Sequence, residues 1–421
     1  MTRLVLEHSG PLRGTVSVNG AKNATLPVMA ACLLTEEESV IEGVPRVTDV
    51  MTMAQILRVL GVEVSWDGEA LVIRPDGFAG WEAPYELVSL MRASVCVLGP
   101  LVARHGRARV SMPGGCVIGA RPIDLHLKGL EALGASIVVE HGDILAQTAG
   151  RLRGSTMLLA GSFGSSVLAT ANVMMAATLA DGTTIIDHAA CEPEVVDLAD
   201  CLVTMGAKIS GHGTPRIVIE GVATLRGARH RVIPDRIEAG TLMIAAAMLG
   251  GDVTIDGAVS EHLGALIDKL TEAQVSVESR NGSIRVRSDR SVKAVNVTTL
   301  PFPGFPTDLQ APMMALASIS QGVGVLTEKI YPERFLHVPE LKRMGAAITR
   351  EGPTAIVSGV ERLSGAPVKA PDLRASAALV LAGLAAEQQT VLEGLEHLDR
   401  GYQHFEQKLT QLGAKIHRQV G

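Results

Sequence analysis

The sequence predicts an α/β protein of two domains, each built from three copies of a strand–helix–strand–helix–strand unit. Three observations support this class. One short phrase recurs six times, apolar runs of helical length alternate with short β-branched runs, and 421 residues are too many for one ordinary core. Three units of about 70 residues give a half of ordinary domain size.

The recurring phrase is an apolar residue, Gly, a small residue, any residue, then Val or Ile. Its copies lie at 60–64, 133–137, 205–209, 344–348 and 412–416, and a degraded copy at 271–275 places Ala273 at the Gly position. A Gly that follows a helix and precedes a strand is typical of a left-handed helix end. The phrase therefore marks the end of each unit's second helix.

The rest of the unit precedes the phrase. An amphipathic helix comes directly before it, as at 49–60 and 124–133. A strand comes earlier, as at 39–41 and 184–186, and before it an Ala-rich helix, as at 26–33 and 168–179. The first strand, at 3–6, precedes the first unit, and we expect it to return and complete the C-terminal half.

Composition limits the classes of function. Hydrophobic residues make up 47% of the chain but aromatic residues only 3%, so Ala, Val, Leu, Ile and Met fill the core. A net charge of −6 argues against a general nucleic-acid or membrane-surface binder. The longest apolar runs span about 11 residues, where a membrane helix needs about 20. No signal peptide is evident, and five cysteines without a CxxC pair favour a reducing cytoplasm.

A charged or hydroxyl residue precedes or opens nearly every Ala-rich helix. N-capping explains the acidic ones, which are Asp235, Asp308 and Asp372. It does not explain the cations, which are Lys22, Arg92 and Arg374. A cation at the positive end of a helix dipole is unfavourable, so these three indicate a bound anion such as phosphate.

In each unit a loop follows the strand that comes after the Ala-rich helix. This loop is longer in the second unit than in the others and spans 112–122. Its three glycines predict a mobile lid, with Cys116 at the tip and Arg121 nearby. An exposed, electropositive setting makes a thiol useful in acid–base or covalent chemistry. Three other cysteines are expected to be small buried hydrophobes, namely Cys32, Cys96 and Cys201, and Cys191 fits either interpretation.

Four segments together resemble a known family. They are 20–24, 114–126, 334–341 and 399–402. In order and sequence they are similar to the UDP-N-acetylglucosamine 1-carboxyvinyltransferases, which are enolpyruvyl transferases. The resemblance runs from the first strand to the last residue. It implies two inside-out α/β domains, one of residues 22–233 and one of residues 1–21 plus 234–421, with the active site in the cleft between them.

The resemblance also implies a reaction. Phosphoenolpyruvate and UDP-N-acetylglucosamine give the 3-O-enolpyruvyl ether and phosphate, the first committed step of peptidoglycan precursor synthesis. The chemistry requires a general acid, a general base and cations for two anionic substrates. It requires no metal and no redox cofactor. Inactivation by a thiol-alkylating epoxide such as fosfomycin is expected at Cys116.

Residue roles carry over position by position. Cys116 matches the proton donor, and Asp308 the base near the sugar hydroxyl. Lys22 and Arg400 complete the set of residues expected to be catalytic. The residues that match the phosphoenolpyruvate site are Lys22, Asn23, Arg121, Arg334, Arg374 and Arg400. The residues that match the UDP-sugar site are Asn23, Arg92, Arg121, Pro122, Asp124, Leu125, His126, Ser166, Val167, Asp308 and Ile330. His126 can also be a plain capping or surface residue.

One segment departs from the family, and two alternatives stay open. Leu168 stands where a Gly is expected, which puts the uridine-side contacts at 162–169 in question. The related transferase that acts on shikimate 3-phosphate shares the fold, but Lys22-Asn23 and Cys116 do not match its pattern. A non-catalytic repeat protein that binds nucleotide sugars explains the repeats but not the cations beside the Cys loop.

Overall fold

The computed structural model describes residues 2–114, 123–162, 164–280 and 282–419. These residues divide into two compact units. The N-terminal unit holds residues 20–114 and 123–233, and the C-terminal unit holds residues 2–19 and 234–419, apart from the two single-residue gaps. No helix among the described residues is both long and apolar enough to cross a membrane.

The α-helices, in chain order, are α1 (Lys22–Ala31), α2 (Thr48–Val59), α3 (Tyr85–Val88), α4 (Leu98–His105), α5 (Asp124–Ala132), α6 (Val167–Ala177), α7 (Pro193–Thr204), α8 (Arg236–Leu249), α9 (Gly264–Glu272), α10 (Gln310–Ala317), α11 (Val338–Arg343), α12 (Leu373–Ala385), α13 (Leu395–Leu398) and α14 (Phe405–Gln411). Short 3₁₀ helices span Cys32–Leu34, Arg92–Val97, Ser260–His262 and Thr307–Leu309.

The strands of the N-terminal unit are β3 (Ser39–Glu42), β4 (Glu63–Asp67), β5 (Ala70–Arg74), β6 (Glu82–Ala83), β7 (Arg107–Ser111), β8 (Ser136–Glu140), β9 (Asp143–Gln147), β10 (Thr156–Leu158), β11 (Ala160–Gly161), β12 (Gly164–Ser165), β13 (Thr183–Asp187), β14 (Lys208–Ser210), β15 (Arg216–Glu220) and β16 (Arg229–Arg231). Those of the C-terminal unit are β1 (Arg3–Leu6), β2 (Leu12–Ser17), β17 (Gly251–Asp256), β18 (Ser276–Arg280), β19 (Ser283–Ser288), β20 (Val297–Thr298), β21 (Val323–Thr327), β22 (Ala347–Glu351), β23 (Thr354–Ser358), β24 (Pro367–Lys369), β25 (Thr390–Glu393) and β26 (Ile416–Gln419).

Six four-stranded sheets of the described chain share one topology, in which the first two strands are parallel and the rest antiparallel. Their orders are β16-β3-β5-β4, β6-β7-β9-β8 and β10-β13-β15-β14 in the N-terminal unit, and β2-β17-β19-β18, β20-β21-β23-β22 and β24-β25-β1-β26 in the C-terminal unit. Strand β1 pairs with β25 and β26, with Leu4 opposite Leu392 and Arg418. The expected return of the first strand to the C-terminal half is confirmed.

The Ala-rich helices form the inside of each unit. In α8, every residue from Ile237 to Leu249 is buried, whereas α9 buries only Leu266 and Leu270. Helices α8, α10 and α12 pack against one another, and in the N-terminal unit α6 packs against both α1 and α4. A helix that is apolar all round must be covered on all sides, and the amphipathic helices and sheets provide that cover. The structure is therefore inside-out in the sense expected.

Each repeated glycine follows its helix and takes a left-handed backbone conformation. The angle φ lies between 88° and 104° at Gly61, Gly134, Gly206, Gly345 and Gly413. The placement of Ala273 at this position was wrong by one residue. Gln274 takes the left-handed conformation, with φ of 69°, and donates its N–H to Thr271 as Gly61 does to Arg58. The sequence pattern gave the wrong position because the fourth copy keeps the left-handed conformation but has no glycine to mark it.

These glycine positions generate a pair of stability predictions. A Cβ at Gly134 would meet no atom within 4 Å, so Gly134→Ala tests conformation alone. We expect it to lower the free energy of unfolding by about 1 kcal/mol, and Gln274→Gly to raise it by up to about 1 kcal/mol. Denaturant titration of both variants measures the two shifts, and shifts of the same sign would contradict this account of the helix ends.

Candidate active site

The first inner helix begins with a buried cation. Lys22 is the first residue of α1, and its Nζ lies 3.1 Å from Asp49 Oδ2 on α2. Both side chains are buried, and Asn23 beside them is half-buried. The Asp49 carboxylate offsets part of the cost of a cation at a helix N-terminus. Sequence reasoning did not identify Asp49, which lies 27 residues away at the start of an amphipathic helix.

Arg92 opens the 3₁₀ helix that leads into α4. Its Nη1 donates to the carbonyl oxygen of Pro113 at 3.4 Å, at the point where the Cys loop begins. A Cβ on Gly114 would come within 2.5 Å of the Ser89 carbonyl oxygen, so the loop base passes very close to the backbone before Arg92. Cys116, Arg121 and Pro122 themselves lie outside the described residues.

The four described cysteines are free thiols, and none is activated. Burial raises the pKa of Cys32 and of Cys96 to about 12. Burial also raises the pKa of Cys201 and, together with the Glu192 carboxylate, that of Cys191. Because the thiolate is the reactive form, a raised pKa makes these thiols less reactive than an ordinary cysteine. The interpretation of Cys32, Cys96 and Cys201 as buried small hydrophobes is confirmed.

Two neighbouring helices, α5 and α6, carry five residues expected at the UDP-sugar site on or directly before their first turns, namely Asp124, Leu125, His126, Ser166 and Val167. Asp124 starts α5 and is exposed, whereas Leu125 and His126 are buried. The β11–β12 hairpin touches Leu125, because a Cβ on Gly161 would lie 3.2 Å from its Cδ1. The chain runs from that hairpin directly into α6.

The start of α6 follows a capping pattern. Ser166 Oγ accepts a hydrogen bond from the backbone N–H of Ala169 at 3.3 Å. Val167 is then the first helical residue, and Leu168, at the position that departs from the family, is the half-buried second one.

A second set of candidate residues meets in the C-terminal unit. Asp308 Oδ1 accepts from Arg334 Nη1 at 2.7 Å, and Asp308 Oδ2 accepts from Arg374 Nη2 at 2.8 Å. Asp235 and Asp372 do cap α8 and α12, each accepting two backbone N–H groups. The capping interpretation of Asp308 was wrong, because its carboxylate serves two arginines.

The two arginines are buried and share the carboxylate of Asp308. Burial alone would lower the pKa of Arg334, but the Asp308 and Asp372 carboxylates raise it overall. The same balance holds for Arg374, whose pKa is raised mainly by Asp308 and Tyr402 against the effect of burial. In the described part of the chain, Arg374 Nε has no hydrogen-bond partner. Two guanidinium groups that share one carboxylate, with a donor left over, suit an anionic ligand.

Glu328 supports this cluster from behind and is completely buried. Its Oε1 accepts from Thr299 Oγ1 at 2.6 Å and from the backbone N–H groups of Ile330 and Tyr331 at 2.8 and 2.9 Å. Its Oε2 accepts from Thr307 Oγ1 at 2.9 Å, and Thr307 in turn accepts from Arg334 Nη1 at 2.9 Å. One carboxylate thus orients the backbone at Ile330 and the arginine that holds Asp308.

Arg400 follows α13 in a turn that packs on the start of α12. A Cβ on Gly401 would lie 2.8 Å from Leu373 Cδ2, and the Tyr402 ring centroid lies 5.3 Å from Arg374 Cζ. The structure therefore brings together Asp308, Arg334, Arg374 and the Arg400 turn. Sequence reasoning missed Thr307, which opens the 3₁₀ helix before α10, and Glu328, which directly follows β21.

The Glu328 network generates a prediction. In Glu328→Gln an amide NH₂ replaces one acceptor oxygen and faces a hydroxyl or N–H donor, so we expect a loss of about 1–3 kcal/mol of stability and a fall in activity. The control is Glu333→Gln, because Glu333 is an exposed partner of Arg350 and should change stability by less than about 0.5 kcal/mol. Denaturant titration compares them, and equal effects would remove Glu328 as a support of the site.

Known proteins resemble the chain over nearly its whole length. The family described as EPSP synthase (3-phosphoshikimate 1-carboxyvinyltransferase) matches residues 6–409. A UDP-N-acetylglucosamine 1-carboxyvinyltransferase 1 of Caldanaerobacter subterraneus subsp. tengcongensis is 52% identical over 417 residues, and a UDP-N-acetylglucosamine 1-carboxyvinyltransferase of Methylacidiphilum infernorum is 50% identical over 418, each match covering 99% of both chains.

Solved structures show the same fold. The enolpyruvyl transferase NikO from Streptomyces tendae has a TM-score of 0.89 at 24% identity, covering 100% of this chain and 99% of that one. An EPSP synthase from Acinetobacter baumannii has a TM-score of 0.75 at 19% identity, with both chains covered completely. With these matches over nearly its whole length, the chain belongs to the enolpyruvyl transferase family, among the UDP-N-acetylglucosamine 1-carboxyvinyltransferases.

Proposed function

We propose that this protein transfers the enolpyruvyl group of phosphoenolpyruvate to the 3-hydroxyl of UDP-N-acetylglucosamine and releases phosphate. The observation that carries the proposal is the buried pair Arg334 and Arg374 on the single carboxylate of Asp308, with Arg374 Nε left over. Such a site suits the carboxylate of phosphoenolpyruvate. The relatives named for this reaction, about half identical to the chain, support the same choice of substrates.

The reaction is an addition followed by an elimination. A proton adds to C3 of phosphoenolpyruvate, C2 becomes electrophilic, and the sugar 3-hydroxyl forms a bond to C2 as it loses its proton. A proton then leaves C3, the C2–O bond to phosphate breaks, and the double bond re-forms. The net change moves no electrons to a carrier, so acid–base groups and cations are sufficient.

We assign the acid to Cys116 and the base to Asp308. Each carboxylate oxygen of Asp308 receives an arginine N–H. The arginines stabilise the ionised carboxylate and fix its plane, and this carboxylate is the group that would take the hydroxyl proton. Cys116 is also the thiol that an epoxide such as fosfomycin would alkylate, since burial keeps Cys32, Cys96 and Cys201 protonated.

The remaining candidates divide between the two substrates. Lys22, Arg121 and Arg400 would bind the phosphate of phosphoenolpyruvate, which matches the place of Lys22 at a helix N-terminus. The UDP-sugar would be bound by residues that lie mostly on the α5–α6 helices and at inner helix starts, namely Asn23, Arg92, Arg121, Pro122, Asp124, Leu125, His126, Ser166, Val167 and Ile330. The proposal thus draws on residues of domain 22–233 and of the second domain, 1–21 plus 234–421.

The proposed setting follows from the reaction. Its product is a precursor of peptidoglycan, so the enzyme would act in the cytoplasm and contribute to cell wall synthesis, cell shape and cell division. The substrates are small molecules, and neither nucleic acid nor a membrane takes part. The family description names transfer to 3-phosphoshikimate, but the half-identical relatives are named for UDP-N-acetylglucosamine.

An acceptor assay tests the function. The purified protein is incubated with phosphoenolpyruvate and either UDP-N-acetylglucosamine, shikimate 3-phosphate or no acceptor, and released phosphate is measured. We expect phosphate only with UDP-N-acetylglucosamine. Release with shikimate 3-phosphate instead supports the related transferase, and no release with either acceptor favours a non-catalytic nucleotide-sugar binder.

The role of Asp308 gives a separate prediction. Asp308→Asn keeps the size of the side chain and one acceptor oxygen but removes the base, so we expect turnover to fall by roughly 10²–10⁴-fold, with a much smaller change in the dissociation constant of UDP-N-acetylglucosamine. Steady-state phosphate release and titration calorimetry measure the two quantities. Asp252→Asn, which changes an ion pair with Arg285 on a sheet surface, is the control. Wild-type turnover in Asp308→Asn would remove Asp308 as the base.

A further inference from the structure

Asn172 lies in the middle of α6 and is completely buried. Its side chain has three partners on three other elements. Oδ1 accepts from the backbone N–H of Gly99 on α4 at 2.6 Å, and Nδ2 donates to the carbonyl oxygen of Val95 at 2.9 Å. The third contact joins Nδ2 to Nδ1 of His126 on α5, at 3.1 Å.

The two backbone contacts fix which way the Asn172 amide points. A backbone N–H can only donate, so the atom facing Gly99 must be the oxygen. A backbone carbonyl can only accept, so the atom facing Val95 must be the nitrogen. A flipped amide would set donor against donor and acceptor against acceptor in a buried site, which costs about 1–3 kcal/mol for each group left unsatisfied.

This orientation determines the state of the His126 ring. Because the amide nitrogen of Asn172 offers a hydrogen to Nδ1, Nδ1 must accept and therefore carries no proton. A neutral imidazole without a proton on Nδ1 carries it on Nε2.

Close packing prevents these groups from separating. A Cβ on Gly99 would lie 2.4 Å from both the backbone oxygen and Oδ1 of Asn172, so only glycine lets this N–H approach. A Cβ on Gly129, one turn after His126, would lie 2.2 Å from Val173 Cγ2. The absence of a Cβ at Gly99 and Gly129 thus allows α4 and α5 to approach α6 closely at the level of Asn172.

Resting on the proposed function, we infer that Asn172 is a positioning residue for nucleotide-sugar binding. It holds His126 as the neutral Nε2–H tautomer, so that the ring offers one uncharged N–H donor to an acceptor oxygen of the UDP moiety. A ring in this state neither accepts a hydrogen bond at Nε2 nor adds a charge. Its contribution is therefore the recognition of an oxygen acceptor in a fixed direction.

The tautomer is tested directly by ¹⁵N NMR of the histidine rings at neutral pH, with the His126 signals assigned by their loss in His126→Gln. We expect an unprotonated Nδ1 and a protonated Nε2 in the wild type. Asn172→Asp keeps an acceptor for Gly99 but places a carboxylate oxygen against Nδ1, and should move a proton onto Nδ1. A wild-type ring protonated on Nδ1 would overturn the inference.

Binding is measured by calorimetry with UDP-N-acetylglucosamine and with UDP. A glutamine amide reaches about as far as Nε2, whereas an asparagine amide reaches only Nδ1. We therefore expect His126→Asn and Asn172→Asp to weaken both ligands roughly tenfold, the loss of about one hydrogen bond, and His126→Gln to weaken them less. Equal losses in the two His126 variants, or a loss confined to UDP-N-acetylglucosamine, would contradict a donor to the UDP moiety.

The matched control is Thr170→Val on the same helix. Thr170 Oγ1 accepts from the backbone N–H of Ala190 and is buried, so this variant loses a buried hydrogen bond without touching His126. Thr170→Val should keep the wild-type tautomer of His126 and the wild-type affinities. Weakened binding in Thr170→Val would mean that the loss in Asn172→Asp reflects a destabilised helix and would contradict the positioning role. If Asn172→Asp does not fold, the wild-type ¹⁵N spectrum and the affinities of His126→Asn and His126→Gln still test the inference. Failure of the acceptor assay with a normal tautomer would refute the proposed function, not the role of Asn172.

Discussion

The fold depends on one constraint, the burial of the apolar inner helices on every side. The inner helices are α1, α4 and α6 in one unit and α8, α10 and α12 in the other. They leave no lateral surface for charged groups, so charged side chains are confined to their ends. Five of the six starts, or the short 3₁₀ turns before them, carry candidate residues, namely Lys22, Arg92, Ser166, Asp308 and Arg374. Asp235 caps the sixth.

Charges confined to such places need oppositely charged partners close by. Lys22 is held by Asp49, and Arg334 and Arg374 are held by Asp308. Removing one partner of a buried pair typically costs about 3–5 kcal/mol, far more than an exposed pair is worth. The supporting residues Asp49, Glu328 and Asn172 therefore matter as much to the site as the groups that would touch substrate, because each fixes the direction of one of those groups.

Local patterns predicted much of this structure from sequence. The repeated phrase marked the helix ends, and the return of strand β1 followed from an unpaired first strand. In the fourth copy the glycine position was assigned to Ala273 instead of Gln274, because a left-handed residue need not be glycine. Asp308 looked like a cap because the same residue type serves caps and ion pairs, and only the fold shows that Arg374, 66 residues later, reaches it. The Glu328 and Asn172 networks likewise join residues distant in sequence, which no local pattern records.

The central claim is that a cation at an inner helix start binds phosphoenolpyruvate for reaction at Cys116. Incubation with phosphoenolpyruvate, followed by peptide mass analysis, tests it most directly. Addition of the thiol S–H across the C2=C3 bond should leave the Cys116 peptide heavier by one intact phosphoenolpyruvate in the wild type and in Arg216→Gln, which alters an exposed ion pair. The adduct should be lost or strongly reduced in Lys22→Gln. An adduct of wild-type yield in Lys22→Gln, or one on another cysteine, would contradict the account.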